Sequence, residues 1–513
     1  MRGSQKQTRS ERVFPETMPF IYYYLIGQGI AAQDLNALQQ FFSVHPTLAG
    51  LVAVAIPCLI AFGVVQAVSG GSTYIERKVA ADIQRRIGPN KCNVGAFLGE
   101  WARQVVANGK NERAGAGGKA MAAIFGLLVP LFDAADKIVG KIAPGVLIFL
   151  ADGIKLIMKE DIIPDPVDKP LFKLAPTVVL ASAFGAVIAL PYSDAFYIAD
   201  PNIGIFYIAA ITSMEVLGIL MAGWASNNKW ALLGGMRSAA QIVSYELPVG
   251  LAIATGILIS GTMSMQAMTF DQLGITEKSS YISDGWFWQW NFFHPAMFIL
   301  APVYFLAALA ECNRTPFDIP EAESELVSGY HTEYSGMRFA IFFMAEYAMM
   351  CVTSGIAVAL FLGGWSTGIA PLERALVTGF NADGTPQFHI VGTLIHLLAF
   401  GVKTYGLVLI MMWIRWTLPR FRVDQMMTLC WKKLIPLGML CFFGVAVWMI
   451  ARMYLVARIG EGAMTGITFA LRALFAFGFI GWLIWFFAKP LTKEQQEQRE
   501  LLAKAHLNTG TAL

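Results

Sequence analysis

Charged residues are scarce in this 513-residue sequence, since Asp, Glu, Lys and Arg together make up only 14% of it. Soluble domains are usually about one quarter charged. Hydrophobic residues make up 56% of the chain and gather in long runs, without the alternation that predicts strands. A helix needs only about 20 apolar residues to cross the hydrocarbon core of a membrane. The sequence therefore predicts an all-α, polytopic helical membrane protein and makes a barrel a poor alternative.

Sequence motifs for redox cofactors are absent as well. The six cysteines are never closer than eleven positions, so no CxxC pair exists to hold an iron–sulfur cluster or a structural zinc. No GxGxxG follows a strand, no GxxxxGK[ST] occurs, and the six histidines form no i,i+4 pairs. We therefore expect this chain to bind no redox cofactor itself. An apolar electron acceptor would still fit, because it needs only an apolar cleft with a few polar groups.

Long apolar runs predict about nine transmembrane helices. They lie near residues 48–71, 174–197, 203–225, 237–262, 294–311, 336–362, 388–414, 431–456 and 466–488. The N-terminal arm and the short apolar segment behind it, residues 1–47, are expected to lie outside the bilayer or in its interface. No cleavage site for a signal peptide follows this segment.

Basic residues in the loops predict the orientation of the chain. Of the 38 Lys and Arg residues, 28 fall in the segments 72–173, 226–237, 311–338 and 413–433 and in the C-terminal tail. The loops on the other side carry eight. Because cytoplasmic loops are enriched in Lys and Arg, we expect the first set of loops to face the cytoplasm.

A basic stretch, YIERKVAADIQRRIGPNKCN (74–93), follows the first predicted span. Such a stretch either anchors the chain to lipid headgroups or forms the rim of a pocket at membrane level. Further on, PGVLIFLADGIKLIMKEDIIP (144–164) has Asp152, Lys155 and Lys159 at helical spacing and apolar residues between them. We expect it to form an amphipathic helix that lies in the membrane interface. Residues 125–141 resemble it weakly, so either segment could occupy that place.

Five ionisable residues fall inside predicted spans: Glu215, Glu246, Glu346, His396 and Lys403. Charged groups at this depth are energetically unfavourable and commonly mark a pocket or a proton path. Burial shifts ionisable groups toward their neutral forms. These residues are therefore candidates for proton exchange near neutral pH, although each one alone could equally form a structural hydrogen bond.

An acidic loop, ECNRTPFDIPEAESELVSGYHTEYSG (311–336), joins the fifth and sixth predicted spans. Its six acids face a single arginine, Arg314; they are Glu311, Asp318, Glu321, Glu323, Glu325 and Glu333. Two prolines keep the first part irregular, and apolar residues such as Phe317 interleave with the acids. Irregular polar backbone at membrane depth occurs only where it is buried in protein or lines a cavity. We therefore favour a buried functional loop over a solvated one.

Several segments together resemble one family. They are the acidic loop, IERKVAADIQRRIGPN, LADGIKLIMKEDIIP, AGWASNNKWALLGGMRSAAQIVSYE and LPRFRVDQMMTLCWK. They are similar to the quinone-site membrane subunit of respiratory complex I, an NADH-quinone oxidoreductase. The matching segments run in the family's order from about residue 48 to residue 455.

The resemblance implies roles for particular residues. The quinone-site set borders the chamber entrance or lines the route from the chamber into the membrane: Arg77, Arg86, Asp152, Lys155, Arg314, Phe317, Asp318, Glu321, Glu323 and Glu325. The proton-path set leads toward antiporter-like subunits: Glu215, Glu246, Glu333, Glu346 and Lys403. Catalysis in the covalent sense and metal binding are not implied for any residue.

The resemblance also implies partners and a location. Quinone would be the substrate, while FMN and the iron–sulfur clusters would reside in peripheral-arm subunits that this chain contacts. Small membrane subunits, antiporter-like subunits and lipids would be further partners, and nucleic acid would not. Because no transit peptide is recognisable, we expect a bacterial plasma (inner) membrane.

Three features depart from the family pattern. An extra helix and a charged tail (456–513) follow the membrane domain that resembles the family (48–455), and residues 95–143 look like an insertion. Cys312 stands where the family commonly has threonine. Two other functions remain open: the equivalent subunit of a membrane-bound hydrogenase or ferredoxin-linked complex, and an independent ion-coupled transporter. The nearly complete acidic loop argues against the first, and the lack of a half-to-half repeat argues against the second.

Overall fold

The computed structural model of the protein describes residues 46–90, 145, 148–194, 196–273, 285–320, 322–380, 386–388 and 390–488. Glu321, the N-terminal arm, the predicted insertion and residues 489–513 lie outside these ranges, as does the amphipathic segment 125–141. For Glu323, only the backbone is described.

Helices account for nearly all of the regular structure in these ranges. They are α1 (Pro46–Ile83), α2 (Ile148–Met158), α3 (Lys169–Val187), α4 (Gly204–Thr212), α5 (Met214–Ala225), α6 (Lys229–Ser260), α7 (Met265–Gln272), α8 (Pro295–Glu311), α9 (Glu323–Leu326), α10 (Gly336–Phe361), α11 (Ala370–Leu376), α12 (Ile390–Thr417), α13 (Val423–Leu429), α14 (Ile435–Ile459) and α15 (Glu461–Ala488). Short 3-10 turns occur at Phe287–Gln289, Asn291–Phe293 and Gly329–His331, and Cys430–Leu434 is π-helical. Strands β1 (Val377–Phe380) and β2 (Pro386–Phe388) form a small antiparallel hairpin.

Six of the described helical segments are long and apolar enough to cross a membrane. They are Lys169–Val187, Gly204–Ala225, Lys229–Ser260, Gly336–Phe361, Ile390–Thr417 and Val423–Arg458. Pro295–Glu311 and Gly466–Phe479 are shorter apolar helices. The predicted helical membrane fold is therefore confirmed, whereas the number of nine spans stays a prediction.

Local sequence explains where α3 begins and ends. Pro170 lies in its first turn, where proline's missing N–H is harmless. The helix ends at Val187, four residues before Pro191, and a turn carries the chain through Tyr192, Ser193 and Asp194. Because proline disfavours helical backbone in the residue before it, the predicted span 174–197 extended ten residues too far.

Helix α1 contains part of the predicted basic loop. The first span was predicted to end near residue 71, but the helix continues without a break to Ile83. Glu76 and Arg77 therefore lie on helical backbone, and the prediction of a loop beginning at residue 72 is wrong for residues 72–83. A rigid helix fixes these two side chains relative to the neighbouring helices.

The first compact unit of the chain, residues 1–448, contains the helix bundle. Helix α5 packs against α3 and α6, α8 packs against α6, and α10 contacts α1, α3, α8 and α12. Small residues allow close approach, as membrane helices require. A Cβ on Gly218 would lie 2.4 Å from a methyl carbon of Val179, and one on Gly234 would lie 2.8 Å from the Cα of Gly329.

The second compact unit, residues 449–513, is described only for the end of α14 and for α15.

Candidate functional site

A cavity of about 890 Å³ lies among α1, α2, α10 and the end of α12. Apolar side chains such as Phe149, Phe343 and Trp416 form much of its wall. Charged side chains enter it from α1 and α12, among them Glu76 and Arg415. Its size falls within the range of about 300–1,000 Å³ that is typical of small-molecule sites. The chemistry of the wall suits a largely apolar molecule with a polar end.

The four residues predicted at a chamber entrance all line this cavity: Arg77, Arg86, Asp152 and Lys155. A guanidinium nitrogen of Arg77 lies 2.6 Å from a carboxylate oxygen of Asp152, which ties α1 to α2. Both side chains are partly exposed, and exposed ion pairs stabilise a fold by less than about 1 kcal/mol. This pair therefore matters more for the position of α2 than for stability.

The predicted amphipathic segment contributes its helical part, α2, to the cavity wall. No residue of α2 is fully buried, and Ile157 and Met158 remain strongly exposed. Exposed apolar side chains beside Asp152 and Lys155 fit a helix that lies in the membrane interface.

A buried ion network connects the cavity to the acidic loop. Arg314 is 2% exposed, and its Nε lies 2.6 Å from Glu346 Oε1. Its Nη1 lies 3.5 Å from Glu76 Oε1, and its guanidinium carbon lies 4.4 Å from the ring centroid of Tyr347. On the cavity side, Glu76 also binds Arg415 at 2.5 Å and accepts a hydrogen bond from the Tyr347 hydroxyl at 2.5 Å. Glu76 therefore bridges the loop's arginine and the cavity wall.

The charges of this network balance, because two arginines face two glutamates. Burial alone would lower the pKa of Arg314, but the carboxylates of Glu346 and Glu76 raise the pKa above its ordinary value. Arg314 thus stays charged in a place that excludes water. Removing one partner from such a buried pair leaves an uncompensated charge, which is strongly unfavourable.

The first part of the acidic loop is buried by specific contacts. The side-chain amide of Gln241 donates to the carbonyls of Ala310 and Phe317, each at 2.8 Å. The Phe317 ring is fully buried and contacts the rings of Tyr245 and Phe421. A solvated loop is thereby ruled out for this part.

The LPRFRVDQ segment fixes the same part of the loop from another side. The backbone N–H of Phe421 donates to the carbonyl of Pro316 at 2.9 Å. A guanidinium nitrogen of Arg420 lies 3.1 Å from a carboxylate oxygen of Asp318. This segment, which follows α12, therefore anchors the loop through both backbone and charge.

The remaining acids of the loop do not join the buried network. Glu325 is 59% exposed and pairs with Arg237 at 2.6 Å. Glu333 accepts a hydrogen bond of 2.7 Å from the side chain of Asn228. Glu321 lies outside the described residues, and the side chain of Glu323 is not described. Among the acids that are described, the loop separates buried from surface positions instead of gathering all of them.

A second carboxylate group lies in the bundle interior. Glu215 of α5 is buried and interacts electrostatically with Glu311 at the end of α8, which in turn interacts with Glu246 of α6. The Ser213 hydroxyl donates to Glu246 at the break between α4 and α5. The predicted residues Glu215 and Glu246 are thus linked through Glu311, which sequence reasoning had counted only among the loop acids.

Lys403 lies apart from the other predicted proton-path residues. Its ammonium donates to the carbonyls of Leu362, Gly364 and Ser366 at 2.6–3.1 Å and lies 4.1 Å from the Trp290 ring centroid. Leu362 follows α10 sixteen residues after Glu346, about 24 Å along a helix axis. The predicted grouping of Lys403 with Glu346 is therefore not seen as a contact.

Near Lys403, a buried histidine lies between two carboxylates that the sequence analysis did not select. His396 Nδ1 lies 3.2 Å from Asp194 Oδ1, and His396 Nε2 lies 3.0 Å from Glu373 Oε2. The three residues come from distant parts of the chain, so no local spacing could have revealed them. Glu76, Tyr347 and Arg415 were missed for the same reason, although Glu76 lies inside the quoted basic motif.

These features together define a helical membrane protein in which a small-molecule cavity adjoins a buried ion network. A family model described as NADH dehydrogenase matches residues 136–446. The H-type subunit of the NADH-quinone oxidoreductase of Anaeromyxobacter dehalogenans is 40% identical over 411 residues, which cover 80% of this chain and 84% of that protein.

Two further relatives carry the same name. The protein of Chlorobium luteolum is 38% identical over 433 residues, covering 83% of this chain and 96% of its own length. The protein of Chlorobaculum parvum is 46% identical over 310 residues, covering 60% of this chain and 80% of its own length. This chain belongs to the NADH dehydrogenase family, as a member of its H-type membrane subunits of NADH-quinone oxidoreductase, and the resemblance drawn from its motifs is confirmed.

Proposed function

We propose that this chain forms the entrance and lower part of the quinone chamber of a proton-translocating NADH:quinone oxidoreductase and couples quinone reduction to proton movement. The observation that carries the proposal is the position of Glu76. One of its carboxylate oxygens contacts both Arg314 of the acidic loop and Arg415 of the cavity wall. A change of charge in the cavity therefore acts directly on the loop.

The cavity fits this role through its chemistry. Apolar side chains would hold the quinone tail, and the charged groups of α1 and α2 would meet its polar ring at the rim. The electrons would come from an iron–sulfur cluster of a peripheral-arm subunit, whose FMN accepts them from NADH. The residues of this chain would guide quinone and respond to its reduction.

The buried network supplies a physical route for that response. Quinone takes up two electrons and two protons when it becomes quinol, so the charge and the proton content of the chamber change during turnover. Electrostatic interactions are strong where water is excluded. If Glu76 bound the cavity side more tightly, Arg314 would depend more on Glu346, which extends the effect into the bundle. Glu311, Glu215 and Glu246 would continue the path toward antiporter-like subunits.

The surroundings of the chain follow from the same proposal. We place the basic and acidic loops on the cytoplasmic side of a bacterial plasma membrane, because most of the basic residues lie there. The peripheral arm would dock on that side, and lipids would surround the exposed apolar faces.

The test is the variant Glu76→Gln in the assembled complex. The amide keeps the shape of the side chain but removes the charge that bridges Arg314 and Arg415. We expect quinone reductase activity to fall about tenfold or more, on the scale at which removal of a positioned charge slows catalysis. NADH oxidation by an artificial hydrophilic acceptor should stay unchanged, since it bypasses the chamber.

The matched control is Glu325→Gln, which removes an exposed carboxylate from the same loop region. We expect it to retain most quinone reductase activity. Equal loss of both activities in assembled Glu76→Gln complex, or full retention of inhibitor-sensitive quinone reduction, would contradict the proposal.

A further inference from the structure

A second buried charge cluster lies at the other end of the bundle and takes no part in the cavity network. His396 and Glu373 are fully buried, and the side chain of Asp194 is 6% exposed. Asp194 belongs to the turn after α3, Glu373 to α11 and His396 to α12. We call these three residues the histidine triad. Among the described residues, no group has the arrangement of a metal site, so the triad needs another explanation.

The hydrogen bonds of the histidine triad require a bound proton. Each of the two N···O contacts, at 3.2 Å and 3.0 Å, requires one hydrogen between nitrogen and oxygen. A neutral imidazole carries one N–H, and its other nitrogen is an acceptor that repels a carboxylate oxygen. The observed geometry therefore requires one proton more than a neutral histidine with two carboxylates supplies. Uptake of that proton turns imidazole into imidazolium, and its release reverses the step.

Neighbouring donors determine where the extra proton resides. The Ser193 hydroxyl donates to Asp194 at 2.6 Å, and the Thr393 hydroxyl donates to the other carboxylate oxygen at 3.1 Å. Thr367 donates both its backbone N–H and its hydroxyl to Glu373, at 2.6 Å and 2.7 Å. Hydrogen bonds of this kind favour the ionised carboxylate. The proton therefore belongs to the imidazole.

The surrounding charges balance this state. The ammonium of Lys403 interacts electrostatically with Glu373, so two carboxylates face one imidazolium and one ammonium. Tyr192, which adjoins the turn, donates its hydroxyl to the carbonyl of Val187, and Cys351 of α10 lies near that tyrosine. Both are ordinarily neutral at pH 7. Loss of the proton from His396 would leave the cluster with one uncompensated negative charge.

The position of the histidine triad relates it to the cavity. His396 and Arg415 lie on the same unbroken helix, α12, and are separated by nineteen residues. At 1.5 Å per residue, this corresponds to about 28 Å, close to the thickness of a hydrocarbon core. Arg415 binds Glu76 in the cavity wall. The triad and the cavity therefore lie near opposite faces of the membrane.

We infer that the histidine triad is a second proton-binding site of the chain, which takes up and releases one proton near the membrane face opposite the quinone cavity during turnover. This inference rests on the proposed function in one respect, since it assumes that the complex couples turnover to proton movement. The alternative is a permanent ion cluster that only fastens the turn after α3 and α11 to α12.

The test separates these possibilities with Asp194→Asn and Glu373→Gln in the purified complex, reconstituted in proteoliposomes. An amide can donate to the acceptor nitrogen of a neutral imidazole, so either variant keeps the contact while abolishing the need for the extra proton. Quinone reduction by NADH and the accompanying proton translocation are measured together over pH 6–9. Asp200→Asn is the matched control, because Asp200 follows in the same segment but accepts its hydrogen bonds from Ser264.

We expect both triad variants to lower the rate of proton translocation relative to quinone reduction about tenfold, as loss of a positioned acid–base group does. The control should keep the wild-type ratio. A wild-type ratio at every pH in both triad variants would overturn the inference and leave a structural cluster. Failure of both variants to assemble, with normal assembly of Asp200→Asn, would overturn it as well.

The outcome for the triad can be separated from that for the cavity. Inhibitor-sensitive quinone reduction in the triad variants would leave the proposed quinone role intact whichever way the translocation ratio falls. Loss of that reduction in Glu76→Gln bears only on the cavity.

Discussion

The two ends of helix α12 hold buried charge in different ways. At the cavity end, Arg415 and Arg314 contact the carboxylates of Glu76 and Glu346. At the other end, His396 lies between two carboxylates. Arginine does not release its proton in proteins, whereas histidine does so near neutral pH. The cavity end can therefore respond to a change only by rearranging its pairs, and the histidine end can respond by changing its charge.

Access to the two ends differs in the same sense. Glu76, Tyr347 and Arg415 line an open cavity of about 890 Å³, where a ligand can touch them. His396 and Glu373 are fully enclosed by protein. A site for a small molecule needs the first arrangement, and a site for a proton needs only the second. The two arrangements suggest that one chain separates ligand binding from proton binding along a single helix.

The largest effect is expected when the arginine at the cavity end is removed. Arg314→Met leaves Glu346 and part of Glu76 buried without compensation, so we expect the free energy of unfolding to fall by about 3–5 kcal/mol. Thermal unfolding of the assembled complex, together with its yield, measures this loss. Arg237→Met, which removes the partner of the exposed Glu325, should change stability by less than about 1 kcal/mol. Similar losses in the two variants would abolish the distinction between buried and surface pairs.

A smaller effect, and one that depends on pH, is expected at the histidine end. Burial raises the pKa of Asp194 and of Glu373, but the hydrogen bond and charge of His396 outweigh it and hold both pKa values below their ordinary range. A carboxyl whose pKa is lowered by folding stabilises the protein above its unfolded pKa, near 4. That stabilisation is lost as the pH falls through the lowered folded value.

The measurement compares the thermal stability of wild type and Glu373→Gln across this pH range. We expect a difference of about 2 kcal/mol above pH 5, the scale of a hydrogen bond to a charged group. The difference should shrink toward zero in stronger acid. A difference that grew on acidification would contradict the assigned direction of the pKa shift.

The smallest effect on stability is expected at the cavity rim. Arg77→Gln breaks the exposed pair with Asp152, so the free energy of unfolding should change by less than about 1 kcal/mol. We expect the apparent KM for quinone to rise about threefold with little change in kcat, because a binding contact is lost before the chemical step. Steady-state kinetics with a short-chain quinone checks this. A fall in kcat with an unchanged KM would place Arg77 in the coupling path instead.

Hydropathy and motifs were sufficient to predict the helical membrane fold, the family and the residues of the cavity rim. Arg77 and Asp152 belong to separate quoted motifs, and the structure brings them within 2.6 Å of each other. The buried position of Arg314 also agrees with the irregular, proline-containing backbone of its loop. These features depend on local composition, which a single sequence displays directly.

Long-range pairs could not be predicted in the same way. Asp194 and Glu373 are 179 positions apart, and Glu76 lies 238 positions before Arg314. Nothing in the spacing of one sequence indicates which buried charge meets which. The acids of the loop were expected to act together, but the structure places Glu325 on the surface, because α9 lies beyond the buried part. Burial depends on the packing of several helices, so it appears only when the bundle is assembled.

Helix α12 has a further consequence for how the chain can change in evolution. One residue inserted between His396 and Arg415 would rotate the two ends relative to each other by about 100° and lengthen the helix by about 1.5 Å. Either the contact with Glu76 or the contacts with Asp194 and Glu373 would then be lost. Substitutions along the lipid-facing side are tolerable, but the number of residues between these two positions is fixed. The length of this one helix is therefore as strong a constraint on the protein as the identity of its charged residues.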